Sequence, residues 1–294
     1  MIYAFRILEI IFPVIALCAL GYLWGFWRKL DPKVLTELVL FLLAPAVIFN
    51  ALARQNIDAQ ILLQVVGISL AIHIVPGSIA WAISKIAGIR HKIFVPSILI
   101  MNAVSLPYPL ALLAFGEDGL SQVVLLSIPN VFITFTVGIM IHGGKSMFKE
   151  PFRMPGLWAA IAGLAVALTT IPVPQFFLRF THLTGRGMFP VELFALGYRL
   201  RAIRISDLRF SLLVAALRFT LGFATAWVIS SSLDLKDALR SAIFLISCSP
   251  PAVLNYIFAE RYSHEGTLAA SVVFTGVIMS VITTPLVLLY LELS

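Results

Sequence analysis

The chain has 294 residues, of which 60% are hydrophobic and only 12% charged, with a mean hydropathy of +1.00; soluble domains are roughly half apolar and a quarter charged. The runs 10–27, 38–53, 59–84, 93–116, 119–144, 154–178, 241–259 and 266–291 contain no Asp, Glu, Lys or Arg, and most exceed the roughly 18 residues that mark a spanning helix. A soluble enzyme, an amphipathic surface anchor and, despite the net charge of +7, a nucleic-acid binder are excluded, because their polar faces would interrupt such runs.

The first run carries Arg6 and Glu9 near its start and ends in Trp24, Phe26 and Trp27 without a small-residue cleavage pattern, so it reads as a span and not a removed leader. Allowing charges at helix ends, the pattern predicts ten spans: 6–27, 33–53, 59–86, 93–115, 119–142, 155–172, 175–198, 209–231, 237–259 and 266–290. The connections are too short for a soluble domain. The seventh span contains Arg179, Arg186 and Glu192, and the eighth Arg218. Cys18 and Cys248 both lie in apolar runs and support neither a disulfide framework nor a metal site.

Fourteen of the 21 basic residues fall in the odd-numbered loops, from Arg28, Lys29 and Lys33 through to Arg261, and four, Arg6, Arg54, Lys236 and Arg240, on the opposite side. Basic residues stay in the cytoplasm, so both termini are expected outside, in a multi-pass protein of the cell's inner or plasma membrane.

The two halves share punctuation. Pro45 and Pro190 are 145 residues apart, Pro107 and Pro250 are 143 apart, and Gly119 and Gly266 are 147 apart. Five spans per half is odd, so the second half enters the membrane from the other side. The expected fold is an all-α polytopic membrane protein of ten transmembrane helices in two inverted five-helix repeats, 1–150 and 151–294. In such architectures secondary carriers hold cargo between the halves near the midplane.

The fourth span contains Asn102, Ser105, Pro107 and Pro109, and the ninth Ser247, Ser249, Pro250, Pro251 and Asn255. Doubled prolines remove backbone donors and break a helix, and a break in hydrocarbon persists only where protein covers it or a cavity lies beside it. The half-helix ends then offer dipole poles to a ligand. Asn102 and Asn255 can donate and accept; the serine hydroxyls either meet cargo or pack helices.

At these residues the chain resembles the auxin efflux carrier family, which includes bacterial permeases for organic acids. The likeness lies in Asn102–Leu110 with Phe115-Gly116-Glu117-Asp118-Gly119-Leu120, and in Pro250-Pro251-Ala252 with Asn255, Ala259-Glu260-Arg261-Tyr262 and Ser271. Phe12-Pro13, Gly21-Tyr22 and Leu43-Ala44-Pro45-Ala46 add to it. The resemblance implies broken, crossing fourth and ninth helices, a scaffold of helices 1, 2, 6 and 7, and a transport unit of helices 3 to 5 and 8 to 10. It also departs from the family: Ala103, Val104 and Ser105 fill a stretch usually rich in glycine, and the seventh span carries Arg186.

A mid-membrane arginine needs a partner or water. Arg186, flanked by Gly185 and Gly187, reads as the ligand of a cargo carboxylate, as a surface residue, or as the partner of Glu192. Arg179 and His182 share its face nearer the outer end, and Arg218 could pair with Glu192. His73, in the third span, is a candidate proton carrier or a hydrogen-bonded core histidine; Glu192 competes for the coupling role.

The expected function is secondary active transport of a small organic anion by an elevator-like alternating-access cycle, coupled to protons or to membrane potential, with no cofactor and no metal. The protein's partners would be its cargo, the lipid bilayer and a second copy through the scaffold. The alternative is a sodium- or proton-coupled symporter or antiporter of a related broken-helix fold, such as the sodium/bile-acid type. An intramembrane enzyme is remote, because no paired intramembrane acids and no His-Glu-x-x-His occur.

Overall fold

The computed structural model describes residues 2–55, 57–145, 147–169, 171–233, 235 and 237–293; Lys236, counted above in an outer loop, lies outside them. The chain is helical almost throughout. In order it forms α1 (Ile2–Trp27), α2 (Pro32–Ala53), α3 (Ala59–Ile86), α4 (His91–Leu99), α5 (Pro107–Ile141), α6 (Pro155–Thr169), α7 (Gln175–Arg186), α8 (Met188–Leu200), α9 (Leu208–Ser232), α10 (Asp237–Ser247), α11 (Val253–Phe258) and α12 (Gly266–Leu293). Among the described residues, α1, α2, α3, α5, α9 and α12 are long and apolar enough to cross a membrane. Phe5, Phe12, Trp27, Leu63, Phe176 and Ile282 all stand more than half exposed, a surface that water would not tolerate and lipid requires. The protein is a multi-pass integral membrane protein.

Helix ends follow local chemistry. Asp58 accepts the Ile61 N–H at 2.7 Å and Asp207 the Phe210 N–H at 3.0 Å, each capping the helix that follows. Pro45 lacks the N–H a continuing helix would use, and the turn before it, Val39–Leu43, widens to π spacing. The seventh predicted span divides at Gly187 into α7 and α8, with Pro190 in the first turn of α8, where its missing donor costs nothing.

At 35 residues α5 would be about 50 Å long if straight, well beyond the roughly 30 Å of a bilayer's hydrocarbon. It is not straight. Gly116 has φ 68 and ψ −158, and the chain doubles back there, because Tyr108 and Ser127 share a hydroxyl–hydroxyl bond of 2.7 Å across 19 positions. The element is a hairpin of 107–115 and 117–141. The turn falls at Gly116, three residues before the Gly119 expected to open the fifth span, because only Gly116 takes a positive φ.

Two sets of helices pack together. In one, α2 lies on α6 and α7, and α1 on α8; in the other, α3, α4, α5, α9, α10, α11 and α12 pack on one another. The α1–α8 contact has no spare room: a Cβ at Gly197 would overlap the Cys18 carbonyl oxygen, and one at Gly21 the Phe194 carbonyl oxygen. Small residues allow such backbone approach. Gly197→Ala is expected to push the helices apart at a cost of about 1–3 kcal/mol, read as a lower melting temperature in detergent. Gly67→Ala, where a Cβ meets nothing within 4 Å, is expected to leave that temperature unchanged or raise it.

Candidate functional site at the crossing of two broken helices

After Leu99 and after Ser247 the chain leaves the helix, and the two interruptions meet. Met101 and Pro251 face each other in an antiparallel bridge, with Asn102 N–H donating to Pro250 O at 2.8 Å and Ala252 N–H to Ile100 O at 3.1 Å. In this register the directly opposed residues need no N–H for the ladder, so proline fits at position 251. A third bond runs from Asn255 Nδ2 to Ile100 O at 3.0 Å. Pro107 opens α5 and Pro109 sits in its first turn, positions where an N–H has no helical partner.

The crossing thus gathers the ends of four half-helices. α4 and α10 bring their C-termini, while α5 and α11 bring N-termini with no side-chain cap, following Leu106 and Ala252. Polar groups line the same place. Asn102 is buried; its Oδ1 accepts the Ser105 N–H at 3.0 Å, and its Nδ2 has no partner. Ser105 Oγ donates to Glu192 Oε1 at 2.6 Å, which links the break to α8. Ser247 Oγ is buried without a partner, Asn255 faces His142, and Ser249 Oγ returns to Leu245 O at 2.7 Å. Beside the break lies a small cleft lined by Leu106, Leu110, Leu245, Ser249, Pro250 and Thr284 among others.

Arg186 is elsewhere. With its side chain 43% exposed it forms an ion pair with Glu117, which follows the Gly116 turn, and His182 Nε2 lies 3.4 Å from the same carboxylate. These three line a second small cleft with Asn50, Thr181 and Gly185, and none of its lining residues is shared with the cleft at the crossing. Arg179 is exposed.

Residues 143–288, which contain the Pro250-Pro251 break, match the family described as membrane transport protein, the auxin efflux carrier family. Over nearly its whole length the chain is also similar to two archaeal proteins named as uncharacterised transporters. One, from Methanocaldococcus jannaschii, is 24% identical over 95% of this chain and 97% of its own. The other, from Methanothermobacter thermautotrophicus, is 25% identical over 95% of this chain and 96% of its own. The chain is a membrane transporter, similar over residues 143–288 to the auxin efflux carrier family.

In this transporter the crossing brings together Asn102, Ser105, Pro107, Pro109, Ser249, Pro250, Pro251 and Asn255, and adds Glu192 through Ser105. It does not include Arg186. The acid beside Arg186 is Glu117 and not Glu192, a pairing set by the fold of the α5 hairpin and invisible in sequence spacing. His73 is fully buried between Ser69 O at 2.6 Å and Asn130 Oδ1 at 2.9 Å, which ties α3 to the second arm of the hairpin. Both partners as placed are acceptors, so a neutral ring would need the Asn130 amide turned over to offer its NH2. Arg218 does not meet Glu192 either; its Nη2 reaches Met101 Sδ at 3.1 Å.

Proposed function

We propose that this transporter is a secondary active carrier of small organic anions whose site is the crossing. The observation that carries the reading is the free Asn102 Nδ2 between two uncapped helix N-termini. Asn102 Nδ2 is a donor that no protein acceptor takes, and with the positive dipole ends of the helices beside it this suits a carboxylate. The ten predicted spans correspond to α1; α2; α3; α4 with 107–115; 117–141; α6; α7 with α8; α9; α10 with α11; and α12, taken as two inverted five-helix repeats with both termini outside. The set holding α1, α2, α6, α7 and α8 is the scaffold and the other set the moving unit, so that the crossing faces each side in turn.

Glu192 is the coupling group we favour over His73, since it lies across the boundary between the two sets and touches the break through Ser105, whereas both ring nitrogens of His73 are engaged within one set. Its negative charge opposes an anion at the crossing. Glu192→Gln is therefore expected to bind carboxylates about tenfold more tightly, or ~1.4 kcal/mol. Binding of mono- and dicarboxylates, indole acids, amino acids and bile acids, with and without sodium, tests the whole reading. Affinity confined to amino acids, or strict sodium dependence, would replace it with the cation-coupled alternative.

A further inference from the structure

Arg218, at the middle of α9, is the largest fully buried side chain among the described residues, with 0% exposure. It lies directly behind the crossing. Its Nη2 contacts the sulfur of Met101, the residue bridged to Pro251. One turn along, Gly222 leaves room for the guanidinium and for the Ser247 carbonyl, both of which a Cβ there would press upon. Nε and Nη1 have no hydrogen-bond partner, nor does the neighbouring Ser247 Oγ. None of the ion pairs among the described residues includes Arg218; the titratable groups that feel its charge are His73 and Cys248. Glu192, the acid at the break, is engaged with Ser105.

A permanent cation buried without a counter-ion is among the most costly features a membrane protein can carry. The C-terminal poles of α4 and α10 meet at the break and offset part of that cost. Two of the guanidinium's three nitrogens remain unsatisfied, so the protein alone does not balance the charge.

We propose that Arg218 is a built-in counter-charge for anionic cargo: from behind the crossing, without touching the cargo, its field selects carboxylates over neutral isosteres and takes the place of a co-bound cation. The proposal rests on the anion reading given above. It makes Arg218 a specificity-determining residue carried on the moving unit. The charge crossing the membrane with loaded carrier is then one negative unit less than the cargo's own.

The test uses the full chain in proteoliposomes, with pyruvate, benzoate, malonate and their amides as probes. For the acid that binds most tightly, wild type should prefer acid to amide by about 100-fold, a difference of the size expected of one well-placed charge. Arg218→Met should cut that ratio at least about tenfold with amide affinity unchanged, and Arg218→Lys should hold it within about threefold. An unchanged ratio in folded Arg218→Met would overturn the proposal, while a wild type that binds no acid at all would overturn the anion reading with it. Should Arg218→Met not fold, the wild type decides. Exchange of pyruvate against saturating internal pyruvate should run at the same rate at zero and about 100 mV, because cargo and guanidinium cancel. A rate that changes with voltage would show that Arg218 does not travel as the cargo's counter-charge.

Discussion

Bridging position 105 to position 192 with a short thiol-specific cross-linker should abolish transport. Ser105 stands in the break, in the set proposed to move, and Glu192 on α8 of the proposed scaffold, joined by a hydrogen bond of 2.6 Å. If the crossing travels past α8 during each cycle, this contact must part, and a covalent bridge holds the carrier in one state. The experiment takes Ser105→Cys with Glu192→Cys in a background of Cys18→Ser and Cys248→Ser, since both native cysteines are free and Cys18 lies close enough to Glu192 to feel its charge. A bridge between 108 and 127, two residues already bonded within one hairpin, is the control and should leave turnover within about twofold of the unbridged protein. Equal turnover with both bridges would end the proposal that the two sets move against each other.

Asn102 and Asn255 should fail in different ways although both are buried at the same crossing. Asn255 uses its Nδ2 to hold Ile100 O, so Asn255→Ala should lower stability by about 1–3 kcal/mol, the usual cost of leaving a buried polar group without its partner. Asn102 has Nδ2 free and uses only Oδ1, on the Ser105 N–H. Asn102→Asp keeps that acceptor, deletes the donors and adds a negative charge. It should reduce carboxylate affinity of the folded protein by about 100-fold or more. Unaltered affinity in Asn102→Asp would remove the residue from the binding site.

The breaks themselves were legible because doubled prolines at matched places in two halves have few other uses. What the prolines do at the break was not. That Pro251 occupies the position of a two-stranded bridge needing no N–H depends on the register between chain segments 150 residues apart, and no local pattern encodes it. The same holds for charge. Arg186 stood out as a cation in an apolar stretch, but its partner Glu117 lies 69 positions away and comes to it through the Gly116 turn. That turn was hidden in turn, since a glycine inside an apolar run looks the same whether its φ is negative or positive. Arg218 was noticed for the same reason as Arg186, yet one is fully buried against a sulfur and the other half in the open. Composition ranks the two alike; only tertiary placement separates them.

Two main-chain bonds and one side-chain amide rivet residues 100–102 to residues 250–255, so the two broken helices form one mechanical part. Neither break can widen alone, and any stroke that shifts one half-site drags the other with it. If the two sets move against each other, the give must lie where one is tethered to the other. There are three such tethers: between α2 and α3, between α5 and α6, and between α9 and α8. The second contains Gly143, whose φ of 95 is open to glycine and to few other residues. Shortening these connections should stiffen the machine without touching a single residue that meets the cargo.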